Sequence, residues 1–250
     1  MNNYLLYTKA TSTTGRNLLE ALQEQGVDIY GGSLGPGNKK INTLIRWGAT
    51  KNVGKWDKVY NEARAISLAS NKLESLRVLR KAGVRVPKIY PSLNDVKAED
   101  FPVFGREIHH IAGNDIVMCL QKKDLIAAQR SGCTYFTQYI PSRVEYRFHI
   151  FGELSIKASQ KILTEPERNK DPWIKNWDEG YTFHAPTGKV KEARELAKKA
   201  VKALDLNFGA VDVIVGEDGK PYVLEINTAP GLQTDSSIEV YVTKFKEVLS

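Results

Sequence analysis

The chain has 250 residues, a length that excludes a long multidomain assembly. Hydrophobic residues make up 42% of it and charged residues 26%, a composition that excludes wholesale disorder. Lysine and arginine outnumber aspartate and glutamate by 36 to 29, and the formal net charge of +7 can attract a polyanion such as a nucleotide, an acidic peptide or a nucleic acid.

Residues 1–62 are predicted to form a small α/β lobe. Short apolar runs at 4–8, 27–30 and 43–47 favour strands, and leucines at three-and-four spacing before Gly26 favour a helix between the first two strands. The glycine-rich stretch 31–37 could cradle a phosphate or simply connect two strands. We favour the connection, because no lysine follows it in the register of a P-loop.

The middle of the chain begins with a helical pattern at 61–83, in two parts, which ends at Gly83. Residues 84–89 are predicted to enter a strand. Short β-rich pieces then follow between 101 and 140, where glycines interrupt them, and one helix is predicted at 123–130.

The C-terminal part alternates between polar and apolar residues from 144 to 162, which predicts a long hairpin that turns at Gly152. Apolar residues at three-and-four spacing predict an amphipathic helix at 191–206. Strands are predicted at 211–215 and 222–226, joined by a tight turn at Asp218-Gly219, and a helix is predicted at the C-terminal end.

The clearest chemical feature is a group of three polar residues on the last predicted hairpin. Glu225 and Asn227 are two residues apart on one strand and therefore share a face, and the turn folds Asp212 on the partner strand back toward them. Carboxylate and amide oxygens on an apolar hairpin favour a magnesium or manganese site. The simpler interpretation is a surface hairpin with solvated acids, but these polar residues interrupt strands that are otherwise apolar.

Arg147 is a candidate phosphate-binding residue. It alternates with Glu145 and His149 on one predicted strand face, where it could hold a migrating phosphoryl group or an oxyanion. The alternative is an ion pair with Glu145 on an exposed face.

These residues closely resemble the metal-binding signature of the ATP-grasp superfamily: Asp212, then Glu225 thirteen positions later, then Asn227 in Leu-Glu-Ile-Asn-Thr-Ala-Pro-Gly. The nearest branch is that of the RimK-like amino-acid ligases. The resemblance extends over residues 63–250, and Arg46-Trp47-Gly48 is similar to a strand end in the preceding lobe. It implies a mixed α/β and α+β fold in which two lobes grip ATP. The expected domains are a small α/β lobe at 1–62, an N-terminal ATP-grasp lobe with leading helices at 63–137 and a C-terminal lobe with the metal site at 138–250.

The resemblance also implies which residues contact the nucleotide phosphates. Lys72 is similar to a lysine that reaches phosphate, the alternative being an exposed helix lysine. Arg106 stands where the family usually has lysine followed by proline, and Gly113 resembles the glycine of the lid that closes over phosphates. Arg147 resembles the phosphate-binding arginine of the branch, and Lys161 stands where the branch has an arginine; these two are the expected catalytic residues.

Base and ribose contacts are implied for a second group. The hinge residues Gln138, Tyr139 and Ile140 would meet adenine, although many relatives have glutamate at the place of Gln138. Glu145 would accept hydrogen bonds from the ribose hydroxyls, and Asn176 resembles an asparagine of the branch. The charged stretch 163–171 could shape the substrate pocket or form a solvated loop.

The resemblance implies an ATP-dependent, ADP-forming carboxylate–amine ligase that uses Mg2+ (or Mn2+) and an acyl-phosphate intermediate. Its expected partners are a small-molecule or peptide carboxylate, an amine, and in one hypothesis a polyanionic acceptor. The alternatives are a kinase of the same fold, which would phosphorylate a hydroxyl, and a non-catalytic nucleic-acid-binding protein. The sequence identifies neither substrate, nor a general base, nor the oligomeric state.

The cellular location of the protein is predicted from features that the sequence lacks. No apolar run reaches the roughly 20 residues of a membrane span, and the N-terminal segment lacks the pattern of a signal peptide. Two cysteines, Cys119 and Cys133, are too few for a disulfide framework or a zinc site. The sequence therefore predicts a cytoplasmic protein with no membrane partner.

Overall fold

A computed structural model describes residues 3–37, 42–54, 56–108, 116–171, 173–188, 190–232 and 234–249. Within these ranges the chain forms three sheets, one per lobe, with helices between them. None of the helices in the described ranges is long and apolar enough to cross a membrane.

The first lobe is a four-stranded parallel sheet in the order β2-β1-β3-β4. Its elements are β1 (Asn3–Tyr7), α1 (Thr13–Glu24), β2 (Ile29–Gly32), β3 (Thr43–Trp47) and β4 (Lys58–Tyr60). Every residue of β1 and β3 is buried, as expected for parallel strands covered on both faces. Gly31 lies inside β2, where a Cβ would lie 2.7 Å from Leu19, so helix packing accounts for this glycine.

The second sheet is antiparallel, in the order β5-β8-β6-β7. In chain order, this part of the chain contains α2 (Ala63–Ser70), α3 (Lys72–Lys81), β5 (Ile89–Tyr90), β6 (Val103–Arg106), β7 (Val117–Cys119), α4 (Lys122–Arg130) and β8 (Tyr135–Gln138). The predicted two-part helix is confirmed, because Asn71 caps α3 by accepting a hydrogen bond from the backbone of Glu74 at 3.1 Å. The strand predicted at 84–89 is shorter than expected, since β5 begins only after Pro87, which has no backbone N–H.

The third sheet has five antiparallel strands in the order β11-β10-β9-β12-β13. Its elements are β9 (Ser142–Phe151), β10 (Leu154–Leu163), β11 (Tyr181–His184), α5 (Lys191–Ala203), β12 (Phe208–Gly216), β13 (Pro221–Asn227) and α6 (Asp235–Leu249). Both predicted hairpins are confirmed, β9–β10 and β12–β13. Their turns use Gly152 and Gly219 at φ of 56° and 77°, values that favour glycine.

The core explains why one face of the third sheet is free to carry polar residues. Helices α2, α3 and α5 cover its other face, where Phe148, Val211 and Val213 are fully buried among their side chains. The alternate residues of the same strands, such as Arg147 and Asp212, therefore point away from these helices. The helices at 63–83 thus pack on the third sheet, although the predicted domain division grouped them with residues up to 137.

Asn61 joins the first lobe to the third sheet. It is fully buried and adopts φ of 62°, in the left-handed region. Its Nδ2 donates to the carbonyl of Phe208 at 3.0 Å, and its Oδ1 accepts from the backbone N–H groups of Asn207 and Phe208 at 2.8 and 3.2 Å. One side chain therefore satisfies three buried backbone groups at the start of β12.

Replacing Asn61 with alanine should lower the free energy of unfolding by roughly 3 to 5 kcal/mol, because buried backbone groups lose their partners and a Cβ-bearing residue without a polar side chain must keep a positive φ. Asn61→Gly should lower the free energy of unfolding by roughly 1 kcal/mol less than Asn61→Ala does. Glycine adopts a positive φ without strain, so this variant loses only the hydrogen bonds. Urea unfolding of both variants measures this difference. Stabilities of both within 1 kcal/mol of wild type would contradict this role for Asn61.

Candidate active site

A cavity of about 340 Å³ lies between the second and third sheets. Most of the residues singled out in the sequence line it: Arg106, Gln138, Tyr139, Ile140, Glu145, Arg147, Lys161, Asn176, Asp212 and Glu225. Of the remaining three, Lys72 and Asn227 contact Glu225, and Gly113 lies outside the described residues.

The predicted metal ligands lie together on the β12–β13 hairpin. Asp212 is directly opposite Glu225, and Asn227 is opposite Ala210, so the three occupy one face of two adjacent strands. The Nδ2 of Asn227 donates to Oε1 of Glu225 at 3.1 Å, which leaves the amide oxygen as the atom that can bind a cation. The alternative of a solvated surface hairpin is wrong, because Asp212 is buried.

Basic residues neutralise these acids in a way that the sequence did not reveal. Arg147 on β9 binds Asp212 with both arms of its guanidinium, at 2.7 and 2.8 Å. Lys161 on β10 lies 3.6 Å from Oδ2 of the same carboxylate, an oxygen that Arg147 also binds, and Lys72 binds Glu225 at 2.6 Å. The alternative pairing of Arg147 with Glu145 on an exposed face is therefore wrong.

The pKa values of the acids follow from this pairing. Burial alone would raise the pKa of Asp212, but Arg147 and Lys161 outweigh burial and hold it well below its usual range. Burial also opposes ionisation of Glu225, and Lys72 outweighs it, so that pKa is lowered as well. Burial disfavours the charge of Lys161, yet Asp212 and Glu145 raise its pKa. All of these groups are charged at neutral pH. We call Arg147, Lys161, Asp212 and Glu225 the charged cluster.

The donor set on the hairpin fits a hard divalent cation. It supplies two ionised carboxylates and one amide oxygen, which Mg2+ and Mn2+ prefer over softer ligands. The described residues contain no group of three His, Cys, Asp or Glu side chains suited to a metal, because the third donor here is an amide. Magnesium would compete with Arg147, Lys161 and Lys72 for the carboxylates, and these cations could then serve phosphate oxygens.

The other side of the cavity is aromatic. The ring of Tyr139 contacts Phe104 and Trp173 edge to face, with centroid distances of 5.5 and 5.2 Å. We call these three residues the aromatic wall. Gln138 exchanges hydrogen bonds with the backbone of Lys88, which fixes the hinge segment beside it. A flat ring system would find apolar contacts here.

Three predicted contacts have other partners in the structure. The oxygens of Glu145 lie 3.3 Å from Lys175 and 3.2 Å from Lys161, so a ribose would have to share this carboxylate with two ammonium groups. Arg106 donates to the hydroxyl of Thr137 at 2.9 Å. Asn176 lines the cavity, while its side-chain oxygen accepts a hydrogen bond from the backbone of a neighbouring turn.

The loop between β10 and β11 supplies site residues that the sequence analysis missed. Trp173, Ile174 and Lys175 line the cavity, and Lys175 donates to the hydroxyl of Ser142 at 2.6 Å. This loop directly follows the charged stretch 163–171, but none of the residues in that stretch lines the cavity, so its pocket-shaping role stays a prediction. The available signal was a pair of tryptophans within a highly charged segment.

His149 is buried next to the charged cluster. Its Nδ1 lies 3.1 Å from the hydroxyl of Tyr241. Burial, reinforced by the positive charges of Arg147 and Lys157, lowers the pKa of His149 to about 3. The ring is therefore neutral in the folded protein at neutral pH.

This neutral histidine should make the protein less stable in mild acid. In the unfolded chain His149 binds a proton below about pH 6.5, whereas in the folded chain it binds one only near pH 3. The free energy of unfolding should thus fall by about 2 kcal/mol between pH 7.5 and 5, where carboxylates are still ionised. Urea unfolding across this range tests the slope. An unchanged slope in His149→Phe would show that another group causes it.

Known proteins resemble this chain at two levels. A family model described as the C-terminus of D-Ala–D-Ala ligase matches residues 168–247. The chain is 26% identical over 259 residues to the D-alanine–D-alanine ligase of Pseudomonas fluorescens, an alignment that covers 90% of this chain and 78% of the relative.

Solved structures align over nearly the whole chain. ATP-grasp ligase PsnB with its minimal precursor, Mg and ADP gives a TM-score of 0.73 at 15% identity, covering 99% of this chain and 97% of that one. A RimK domain ATP-grasp protein from Sphaerobacter thermophilus gives 0.67 at 17% identity, covering 97% and 98%. The predicted ATP-grasp fold is confirmed. The RimK-like branch stays a prediction, because these identities show the fold alone.

Proposed function

We propose that this chain, which is a member of the ATP-grasp superfamily, is an ADP-forming ligase that joins a carboxylate to an amine through an acyl phosphate. One observation carries the proposal: the charged cluster and the aromatic wall face the same cavity. The wall suits a nucleotide base, and the cluster suits its phosphates and a metal ion. The similarity to D-alanine–D-alanine ligases supports the reaction class.

The binding roles follow from the contacts. Asp212, Glu225 and Asn227 would hold Mg2+, which when bound neutralises the negative charge of the phosphate oxygens. Arg147 and Lys161 present cationic donors beside the same carboxylates, 2.7 and 3.6 Å from Asp212. They are therefore placed to hold the phosphoryl group of ATP as it moves to the substrate.

The proposed reaction has two chemical steps. In the first, a substrate carboxylate oxygen attacks the γ-phosphorus of ATP, ADP leaves, and an acyl phosphate forms. In the second, an amine attacks the acyl carbon, phosphate leaves, and the nitrogen loses a proton. The planar fork of Arg147 donors, which is bound to Asp212 in this structure, can stabilise the oxyanion of the tetrahedral intermediate once a cation takes its place on that carboxylate.

The substrates we propose are amino acids or short peptides, in keeping with the relatives, whose names specify D-alanine. The net charge of +7 favours an acidic acceptor substrate, and a polyanionic acceptor would be attracted most strongly. The reducing cytoplasm is the location that we propose, because two cysteines are too few for a disulfide framework.

Hydroxylamine trapping tests the proposed intermediate. Candidate carboxylates are incubated with the protein, ATP, Mg2+ and hydroxylamine, and the products are identified by mass. An acyl phosphate yields a hydroxamate together with ADP and phosphate. A phosphorylated hydroxyl without hydroxamate would instead support the kinase and overturn the ligase.

A coupled ADP-release screen with pairs of amino acids, polyamines and small peptides should identify the productive carboxylate and amine. If no pair releases ADP while the protein binds RNA or DNA in a salt-dependent manner, the nucleic-acid-binding alternative would replace the ligase.

A further inference from the structure

Trp173 stands out among the residues that line the cavity. Its indole contacts Tyr139 at 5.2 Å between ring centroids, with the planes at 88°. The side chain nevertheless keeps 41% of its surface exposed, although it is among the largest apolar groups of the chain. A large aromatic ring at a cavity wall that is only half covered by protein has a free surface for a ligand.

The loop holds Trp173 in place through polar contacts on both sides. The backbone N–H of Trp173 donates to Asp171 at 3.0 Å, and Glu179 accepts from the backbone N–H groups of Lys170 and Asp171 at 2.6 and 2.9 Å. Two residues later, Lys175 bonds to Ser142 on β9. The indole is therefore presented to the cavity by a fixed backbone, which limits the entropy lost on binding.

The loop has a second tryptophan that serves as a comparison. Trp177 is 54% exposed and does not line the cavity. The guanidinium of Arg168 stacks on its ring at 5.4 Å. The two tryptophans lie in the same loop, but of the two only Trp173 belongs to the aromatic wall and lines the cavity.

We propose that Trp173 packs against the base of the bound nucleotide and gives the site its preference for a purine over a pyrimidine. This inference rests on the proposed function, which places a nucleotide in the cavity. A purine presents two fused rings to the aromatic wall, so its outer ring reaches Trp173. A pyrimidine has a single ring and leaves part of the indole uncovered, which forfeits apolar contact.

Calorimetric titration with ADP and with CDP, both in the presence of Mg2+, tests the inference on the full chain. Wild type should bind ADP more tightly than CDP. Trp173→Ala should raise the Kd for ADP about tenfold, in the range known for base stacking on aromatic side chains. The Kd for CDP should change less than threefold, so the preference for the purine shrinks. Trp173→Phe should retain part of the preference, because it keeps a smaller ring.

Trp177→Ala is the matched control and should leave both Kd values unchanged. A thermal melt of each variant excludes unfolding as the cause. The inference is overturned if Trp173→Ala binds ADP within twofold of wild type, or if it weakens ADP and CDP by the same factor. It is equally overturned if wild type binds neither nucleotide.

The outcome is separable from that of the proposed function. Titration measures binding and needs no second substrate. If ADP binds as expected but hydroxylamine never traps a hydroxamate, the ligase proposal fails while the role of Trp173 stands. If hydroxamate forms but Trp173→Ala leaves the ADP and CDP affinities unchanged, the role of Trp173 fails while the ligase proposal stands.

Discussion

Replacing Glu225 with glutamine should lower the Mg2+-dependent rate of ADP formation by at least about 1,000-fold, since a metal ion contributes several kcal/mol of charge stabilisation to phosphoryl transfer. Glutamine keeps the volume of the side chain and one acceptor oxygen but loses the charge that binds the cation. The rate is measured by coupled ADP release with the substrate pair identified in the screen.

The fold should tolerate this change. Nζ of Lys72 lies 2.6 Å from the carboxylate of Glu225, and in the variant it would contact a neutral amide instead. We therefore expect the free energy of unfolding to fall by about 2 kcal/mol at most. Asp218→Asn is the matched control, because Asp218 belongs to the same hairpin but lies in its exposed turn. Activity of Glu225→Gln within tenfold of wild type, with Asp218→Asn also active, would remove Glu225 from the site.

Replacing Arg147 with methionine should affect both catalysis and stability. The rate should fall about 1,000-fold, as when a fixed donor to a developing oxyanion is removed. The free energy of unfolding should fall by roughly 3 to 5 kcal/mol, because Asp212 is buried and would lose the guanidinium that binds it at 2.7 and 2.8 Å. Chemical denaturation and steady-state kinetics measure the two effects.

Arg147→Lys separates the two roles. Lysine restores the charge and most of the stability, but it cannot reproduce the planar fork, so kcat should remain well below that of wild type. Arg143→Met is the matched control, since Arg143 is an exposed arginine on the same strand. Wild-type kcat in Arg147→Lys would contradict the role of the fork in the reaction.

Local sequence patterns predicted the β12–β13 hairpin and its polar residues well. Alternation places Glu225 and Asn227 on one face, and the turn at Asp218-Gly219 brings Asp212 opposite Glu225, so only neighbouring residues were needed. The hairpin β9–β10 was predictable for the same reason. In both cases, period and turn chemistry determine the register.

The ion pairs could not be predicted in this way. Arg147 meets Asp212 because β9 lies beside β12 in the sheet, a pairing between strands 65 residues apart that no local pattern encodes. The sequence indicated a magnesium or manganese ion as the partner of the two carboxylates. The structure instead gives each carboxylate a basic partner, so replacing Asp212 would also break its ion pair with Arg147.

Trp173 and Lys175 escaped prediction for a different reason. They belong to a loop without helical or strand periodicity, and its conformation depends on side-chain to backbone bonds such as those of Glu179. Composition marked this region as charged, but it could not show which residues face the cavity. Such loops carry much of the specificity of a site, since the scaffold around them is shared.

Crystals grown with ADP and Mn2+ offer the most direct test of the site, because Mn2+ scatters anomalously and can replace Mg2+ at oxygen ligands. The account predicts an anomalous peak within about 2.3 Å of carboxylate oxygens of Asp212 and Glu225, with the β-phosphate on its other side. An ordered nucleotide with Mn2+ bound elsewhere, and with the Arg147–Asp212 and Lys72–Glu225 pairs unbroken, would contradict it.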